Sequence, residues 1–342
     1  MPVAVIGAGV IGKTHADRAL KHSEVSLAAI ADPSPSAQAL AESLGVPWFA
    51  DYEQMLERVK PRSAVVATPN NTHAEIAVRC MQAGTAVIVE KPVADTLADA
   101  QRICAVSKET RQPALVGHQR RYNPITRRAK ALISEGRLGR LVAVTALCTW
   151  LKDKAYFDTA WRRERGGGPI LINLIHDLDL LRHLCGELSS VQSILSNALR
   201  GHPVEDTAVV LLRFAAGALG TITVSDTAAA PWNWDLASRE NDRFPQQHVN
   251  AYYLSGTEGS LALPQLELWR YGARAGWEDP ITVERTVPTA SCPYTEQLRH
   301  FRAVVDGKET PVCSAEDATR SLAAALAVRE SGETGKAVEL KT

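Results

Sequence analysis

Short runs of β-branched and aliphatic residues alternate with longer amphipathic stretches through the first third of the chain. "VAVI" leads into a helix from about Val10, "VSLAAIAD" into one from Pro35, and "SAVVAT" into "NTHAEIAVRCMQAG"; "AVIVE" precedes "TLADAQRICAVSKE", and "ALVGH" closes the series. The apolar runs are continuous rather than alternating, which suits strands covered on both faces. Strand and helix in regular succession predict a parallel, doubly wound α/β sheet ending near residue 120.

Beyond residue 120 the pattern changes. A helix is expected over about 124–135, stopped by Gly136, and then comes "LVAVTALCTW". A glycine-led helix in "GGGPILINLIHDLDLL" (166–181) follows, and after it "VQSILSNALR", "TAVVLLRFA", "ALGTITVSD", "AYYLSG", "LELWRY" and "ITVERTVP". Strands in sequence with few helices between them predict a second, α+β domain on a large, mostly antiparallel open sheet. The domains expected are thus 1–120 and 121–342. The stretch "APWNWDLASRENDRFPQQH" is polar, aromatic and poorly periodic, and reads as a long functional or interface loop. A last helix in "SAEDATRSLAAALAVRESGETG", with Ser314 as N-cap and Asp317 three residues on, is expected to return toward the first domain.

At 342 residues two domains are the natural division, with a cleft between them. Lys plus Arg (38) equals Asp plus Glu (38), so bulk charge steers the protein toward neither nucleic acid nor an acidic membrane surface. The expected partner is a small molecule. Six cysteines carry no CxxC pair and no zinc spacing, and are read as reduced packing thiols. Without a basic leader or an apolar run approaching the length of a membrane span, the expectation is a cytoplasmic protein with no membrane association.

The sharpest chemical signal lies at the start. "VAVIGAGVIGKTH" sets Gly7, Gly9 and Gly12 as GxGxxG between a strand and a helix, and Asp32 ends the next strand 20 residues beyond Gly12. Gly7 makes the tight turn, Gly9 admits the pyrophosphate to the backbone, and Gly12 lets the helix pack closely. The helix N-terminus at Val10 and Ile11 faces the phosphate charge. Asp32 is set to accept hydrogen bonds from a ribose diol and to repel a 2′-phosphate, with no Arg or Lys clamp beside it. NAD is therefore expected over NADP.

From "VIVEKPVA" (88–94) onward the chain resembles the glucose-fructose oxidoreductase, inositol dehydrogenase and rhizopine-catabolism family of NAD(P)-dependent oxidoreductases. The resemblance runs nearly end to end. It takes in Gly7 to Gly12, "ATPNNTHAEIA" (67–77), Glu90-Lys91-Pro92, "GHQRRYNP" (117–124), "WRRERGGGP" (161–169), His176 with Asp179, and "SGTEGSLAL" (255–263). It implies a Rossmann domain followed by a domain on a large open sheet, with homodimers or homotetramers formed through that sheet. It further implies that Lys91 and His176 share acid/base catalysis, that Thr68, Pro69, Asn70, His73, Glu90, Pro92, Trp161 and Arg162 meet the cofactor, and that Gln119, Arg120, Tyr122 and Asn173 meet substrate. Trp232, Trp234 and Tyr294 are further candidates for a pocket wall or an oligomer contact.

Chemistry supports the lysine and the histidine independently. Hydride leaves a carbinol carbon only as the hydroxyl proton leaves too, so a base must stand beside the nicotinamide. A free lysine, with a pKa of about 10.4, is a poor base at neutral pH, and burial beside a cationic ring pushes it down. Glu90 is placed to restrain or orient it, and Pro92 fixes the turn at the sheet edge where ligands bind. His176 relays protons near neutrality.

Pro169 suits the first turn of the glycine-led helix. At 100° per residue Asn173, His176, Asp177 and Leu180 share a stripe, which would present His176 and Asn173 to the cleft opposite Lys91 while Asp177 and Asp179 hold the helix or the histidine. Many members of the family carry an aspartate four residues before the histidine, and this chain has Ile172 there. No second ligand cluster accompanies His176, so no metal is expected. The leading expectation is an NAD-dependent dehydrogenase oxidising a secondary hydroxyl of a sugar, cyclitol or cyclic polyol. The alternatives are a dihydrodiol dehydrogenase for an aromatic-derived diol, and a non-redox NAD-binding glycosidase or sensor.

Overall fold

The continuous apolar runs of the first third become strands buried on both faces. A computed structural model describes residues 1–341, and the chain divides into two compact units, Met1–Tyr122 with Ser291–Leu322, and Asn123–Ala290 with Ala323–Thr342. The first unit is built on six strands: β1 (Pro2–Ile6), β2 (Ser26–Ala31), β3 (Trp48–Phe49), β4 (Ser63–Val66), β5 (Ala86–Val89) and β6 (Ala114–Val116). They lie in the order β3-β2-β1-β4-β5-β6 and pair in parallel throughout. Helices α1 (Val10–Leu20), α2 (Pro35–Leu44), α3 (Tyr52–Val59), α4 (His73–Gln82) and α5 (Leu97–Thr110) connect them.

The helix α3 has no strong apolar run and escaped the sequence reading. Asp51 starts it, its carboxylate accepting the amide N–H of Glu53, the ordinary way an N-cap satisfies an orphan donor. In the same unit, residues near 313 pair along β6, the Val116 N–H donating to the Cys313 carbonyl. A further helix, Pro293–Val305, buries Leu298 and Phe301 in the core with Val3, Val5, Ile30, Val65 and Ile88. At roughly 1.5–3 kcal/mol per buried large apolar side chain, those two residues explain why a segment so far along the chain belongs to the first unit.

The second unit begins with a helix at Pro124–Ser134, close to the expected range. Its sheet comprises β7 (Leu141–Thr149), β8 (Leu188–Ser196), β9 (Thr207–Phe214), β10 (Leu219–Ser225), β11 (Tyr252–Gly256), β12 (Ser260–Leu263), β13 (Glu267–Tyr271), β14 (Ile281–Arg285) and β15 (Val338–Glu339). The order is β14-β13-β12-β11-β7-β10-β9-β8-β15. All neighbours run antiparallel except β7 and β10.

Alternation decides which face is covered. Along β9, Ala208, Val210, Leu212 and Phe214 are buried while Val209 and Leu211 are exposed. The covered face packs on the glycine-led helix through Leu174, Leu178 and Leu181. The expected loop near residue 234 holds a short helix, Trp234–Ala237, and separates the two tryptophans: Trp234 is fully buried and donates its indole N–H to Glu240, whereas Trp232 stays exposed. Trp234 is thus a core residue of the second unit.

Candidate active site

In the first unit the site begins with three strand ends at one level. Ile6 pairs with Val66 and Val66 with Val89, so Gly7–Gly12, Ala67–Asn70 and Glu90–Pro92 emerge side by side from the carboxyl edge of the sheet, where open α/β sheets bind ligands. Gly7 has φ +92° and sits where a Cβ would lie 2.5 Å from the Ala67 carbonyl oxygen. Only glycine fits that position. At Gly12 a Cβ would stand 1.9 Å from the Gly7 oxygen, while at Gly9 it would meet nothing within 4 Å. The loop is therefore closed toward its own helix and open at Gly9, as a backbone that approaches a pyrophosphate requires, and Val10 beside it is exposed.

Asp32 faces the same loop. One carboxylate oxygen accepts the Ala8 N–H at 2.7 Å, and the other accepts both the N–H and the hydroxyl of Ser34, at 2.8 and 2.6 Å. Burial pushes its carboxyl up, but these hydrogen bonds and Lys13 outweigh it and hold it below the ordinary range. The result is a fixed, ionised acceptor.

Behind Lys91 lies a buried network. Glu90 Oε1 meets His15 Nε2 at 2.8 Å, and Oε2 accepts the Lys91 N–H at 3.2 Å. Burial alone would raise the Glu90 carboxyl, yet His15 and Lys91 hold it below its usual value. Tyr294 packs edge-on against His15, ring centroids 5.4 Å apart, and at Gly117 a Cβ would come within 2.7 Å of the Glu90 carboxylate. Glu90 thus restrains the lysine through its backbone. Lys91 itself is half-buried, and its bond to Pro92 is cis.

His73, expected against the cofactor, is instead a clamp. Its ring is buried, with Nδ1 2.9 Å from the Pro92 carbonyl oxygen and Nε2 2.9 Å from that of Thr68. Burial pushes the imidazole down against the pull of both carbonyls, and a neutral ring donates to only one of them. Both nitrogens face the backbone, so the ring ties together the two loops that follow β4 and β5. Thr68 is further held by the Thr72 hydroxyl at 2.7 Å, while Pro69 and Asn70 are exposed. Gln119, Arg120 and Tyr122 form a buried 3₁₀ turn in this unit, Tyr122 packing against His300.

In the second unit the glycine-led helix departs from the regular 100° spacing. Residues Ile170–Leu174 form a π-helical turn before the α-helix Ile175–Cys185, so the projected stripe of Asn173 and His176 does not hold across it. Such turns are rare and frequent at functional sites. Gly168 is needed because a Cβ there would lie 2.2 Å from Glu205 Oε1, which accepts the Ile170 N–H. Asp177 accepts a hydrogen bond from the Tyr252 hydroxyl, and Asp179 faces Arg182 at 4.0 Å. Both aspartates are buried, and His176 is half-buried.

Asn173 Oδ1 accepts from Lys152 Nζ at 2.7 Å. The two line a pocket of about 380 Å³ with Trp150, Tyr156, Leu236 and Phe244. Lys152 was missed by the sequence reading; its one signal is a charge three residues past the end of β7. Arg162, expected near the nicotinamide, donates to the Tyr156 carbonyl and stacks over the Tyr156 ring at 4.1 Å, with exposed Trp161 beside it. Among the described residues no group of three or more His, Cys, Asp or Glu is arranged to hold a metal ion.

A glycine turn open over one helix N-terminus, an ionised carboxylate at the end of the next strand and a lysine on the same sheet edge define a dinucleotide-dependent oxidoreductase. Residues 1–118 match the family model described as "Oxidoreductase family, NAD-binding Rossmann fold", and residues 126–262 match "GFO/IDH/MocA C-terminal domain". The chain belongs to the GFO/IDH/MocA family, and is an NAD(P)-dependent oxidoreductase acting on hydroxyl groups, with NAD as its cofactor. It is 27% identical to the scyllo-inositol 2-dehydrogenase (NAD(+)) of Bacillus subtilis, over 98% of this chain and 95% of that one. The identity to the Myo-inositol 2-dehydrogenase of Thermotoga maritima is also 27%, over 100% and 99%. Among solved structures, the WlbA dehydrogenase from Bordetella pertussis, in complex with NADH and UDP-GlcNAcA, superposes with a TM-score of 0.80 at 24% identity, covering 100% of this chain and 99% of that one.

Proposed function

We propose that this protein oxidises a secondary hydroxyl of a sugar, cyclitol or related cyclic polyol. The observation that carries the reading is the common carboxyl edge of β2, β1, β4 and β5, where Asp32 follows β2, Gly9 follows β1 and Lys91 follows β5 in one sheet. Full-length similarity to two inositol dehydrogenases supports the substrate class. NAD supplies the hydride acceptor. Gly7 to Gly12 hold its pyrophosphate and Asp32 its ribose diol. Lys91 Nζ takes the hydroxyl proton as the carbinol carbon is oxidised, with Glu90, braced by His15, fixing the lysine's backbone, and His176 relays a proton to solvent. Neither Ile172 nor the Asn173 amide can carry a proton, so this reading gives the acid/base work to Lys91 and His176.

The apolar wall of Trp150, Leu236 and Phe244 favours one second reading, a dihydrodiol dehydrogenase acting on a flatter, less polar ring. The reaction is tested by following NAD reduction across polyols, aldoses, cyclitols and dihydrodiols. Turnover on a polyol or cyclitol is expected; tight NAD binding with no reduction by any of them would sink both readings. Self-association is proposed through the open sheet face, where Ile194, Val209, Leu211 and Leu219 are exposed on adjacent strands. Sedimentation showing a monomer at micromolar concentration would refute it.

A further inference from the structure

The second unit holds a largely desolvated cation that the reaction above does not use. Lys152 follows β7, and its backbone is fastened to the end of β10: the Trp150 N–H donates to the Ser225 carbonyl and the Lys152 N–H to that of Asp226. The side chain is 11% exposed, too little for a solvated surface lysine. Its ammonium lies 2.7 Å from Asn173 Oδ1, 4.5 Å from the centroid of the Tyr156 ring and 3.6 Å from Asp226 Oδ2.

Asp226 does not neutralise it alone. That carboxylate is buried and bound by Arg200 Nε at 3.0 Å, while Arg200 also donates to the carbonyls of Asp226 and Lys152. Two cations therefore share one close carboxylate. Burial drives the Lys152 amine down to about 8 despite Asp226, which marks an ammonium short of solvation.

The hydrogen-bonding inventory is equally one-sided. Asn173 turns its oxygen to Lys152, so that the pair is richer in donors than in acceptors toward a ligand: the amide NH₂ and the ammonium together carry more N–H groups than the one lone pair left on the amide oxygen. Asp153 and Asp235 also line the pocket, but Asp153 is exposed and accepts the Tyr156 N–H, and two further cations, Arg243 on the same wall and Arg162 stacked 4.1 Å over the Tyr156 ring, offset the pair. A hydroxyl both donates and accepts, whereas a carboxylate only accepts and brings charge, so a donor-rich pair beside surplus positive charge suits the carboxylate better.

We infer that Lys152 and Asn173 form a specificity subsite for a carboxylate on the substrate, making the preferred molecules acidic polyols such as uronates or cyclitol acids rather than neutral ones. The inference rests on the hydroxyl-oxidising reading in that the anion belongs to the molecule being oxidised. Lys152 acts here in binding and holds no proton of the reaction.

The test is calorimetric titration of the NAD-loaded protein with matched pairs, D-glucuronate against D-glucose and D-galacturonate against D-galactose. At least one uronate is expected to bind tenfold or more tightly than its parent aldose. In Lys152→Met that preference should vanish through weaker uronate binding, with aldose affinity and thermal midpoint little changed, and Lys152→Arg should restore part of it. If Lys152→Met does not fold, Asn173→Asp puts a carboxylate against the bound anion and should abolish the preference by itself. Equal binding within each pair, no binding of any probe, or a preference that survives both substitutions would overturn the subsite. NAD reduction is read separately: a uronate preference without turnover supports the subsite and removes the oxidation reading, whereas turnover without preference removes the subsite alone.

Discussion

The two units carry their chemistry in opposite ways. In the first, the turn at Gly7, the opening at Gly9 and the acceptor at Asp32 all come from one β-α-β segment, and their spacing is set within it. In the second, Trp150, Lys152, Asn173, Asp226, Leu236 and Phe244 come from segments spread over nearly a hundred residues and meet only because β7 and β10 pair. Local geometry writes a recurrent spacing into the sequence; a pocket assembled from distant segments leaves no spacing to find.

Substitutions can sharpen that contrast, beginning with the largest effect expected. Lys91→Ala should lower turnover by about 10²- to 10⁴-fold, the usual weight of a positioned acid/base group, while NAD affinity measured by calorimetry stays within a few-fold. Comparable activity in the variant would take Lys91 out of the mechanism. Gly12→Ala tests the glycine loop itself. A Cβ 1.9 Å from the Gly7 oxygen meets backbone that has no room to give, so a loss of about 1–3 kcal/mol in stability is expected with weakened NAD binding. An unchanged urea midpoint and unchanged affinity would show that the loop is looser than its geometry indicates.

Asp32→Ser should cut the NAD over NADP preference by roughly tenfold or more, since the carboxylate repels a 2′-phosphate by about 1–4 kcal/mol at 4 Å. Steady-state kcat/KM with both cofactors decides it, and an unaltered ratio would contradict the ribose role. The smallest effect concerns Glu90. Its folded carboxyl titrates below the ordinary 4.5, so the stability it contributes is complete above that pH and is lost as pH falls through the lower, folded value. Glu90→Gln should therefore cost about 1 kcal/mol near neutrality and make the acid limb of the stability curve shallower. A parallel acid limb in wild type and variant would deny the carboxylate that part.

Much of the fold could be read from pattern alone. The parallel sheet follows from uninterrupted apolar runs, and the β9 alternation announces a sheet with one open face. Helix α3 and the segment Pro293–Val305 were not legible, because each gains its stability from what it packs against: Leu298 and Phe301 matter only once the first core exists to receive them. The candidate site divides in the same way. Lys91, Asp32 and the glycines stood out by position, whereas His15 looked like an ordinary helical residue until the fold set it against Glu90.

The glycine-led helix shows where the line falls. Its glycines, Pro169 and the polar residues Asn173 and His176 single it out in the sequence as a candidate, because an apolar core helix has no use for such polar groups. That it opens with a π turn, that Gly168 yields its space to Glu205, that Asp177 is spent on Tyr252 and that Asn173 turns its oxygen to Lys152 depend on residues far away in the chain. Backbone propensity and spacing act over a few residues and are written locally; partner choice for a buried polar group is settled by whichever distant side chain the completed sheet brings within hydrogen-bonding reach.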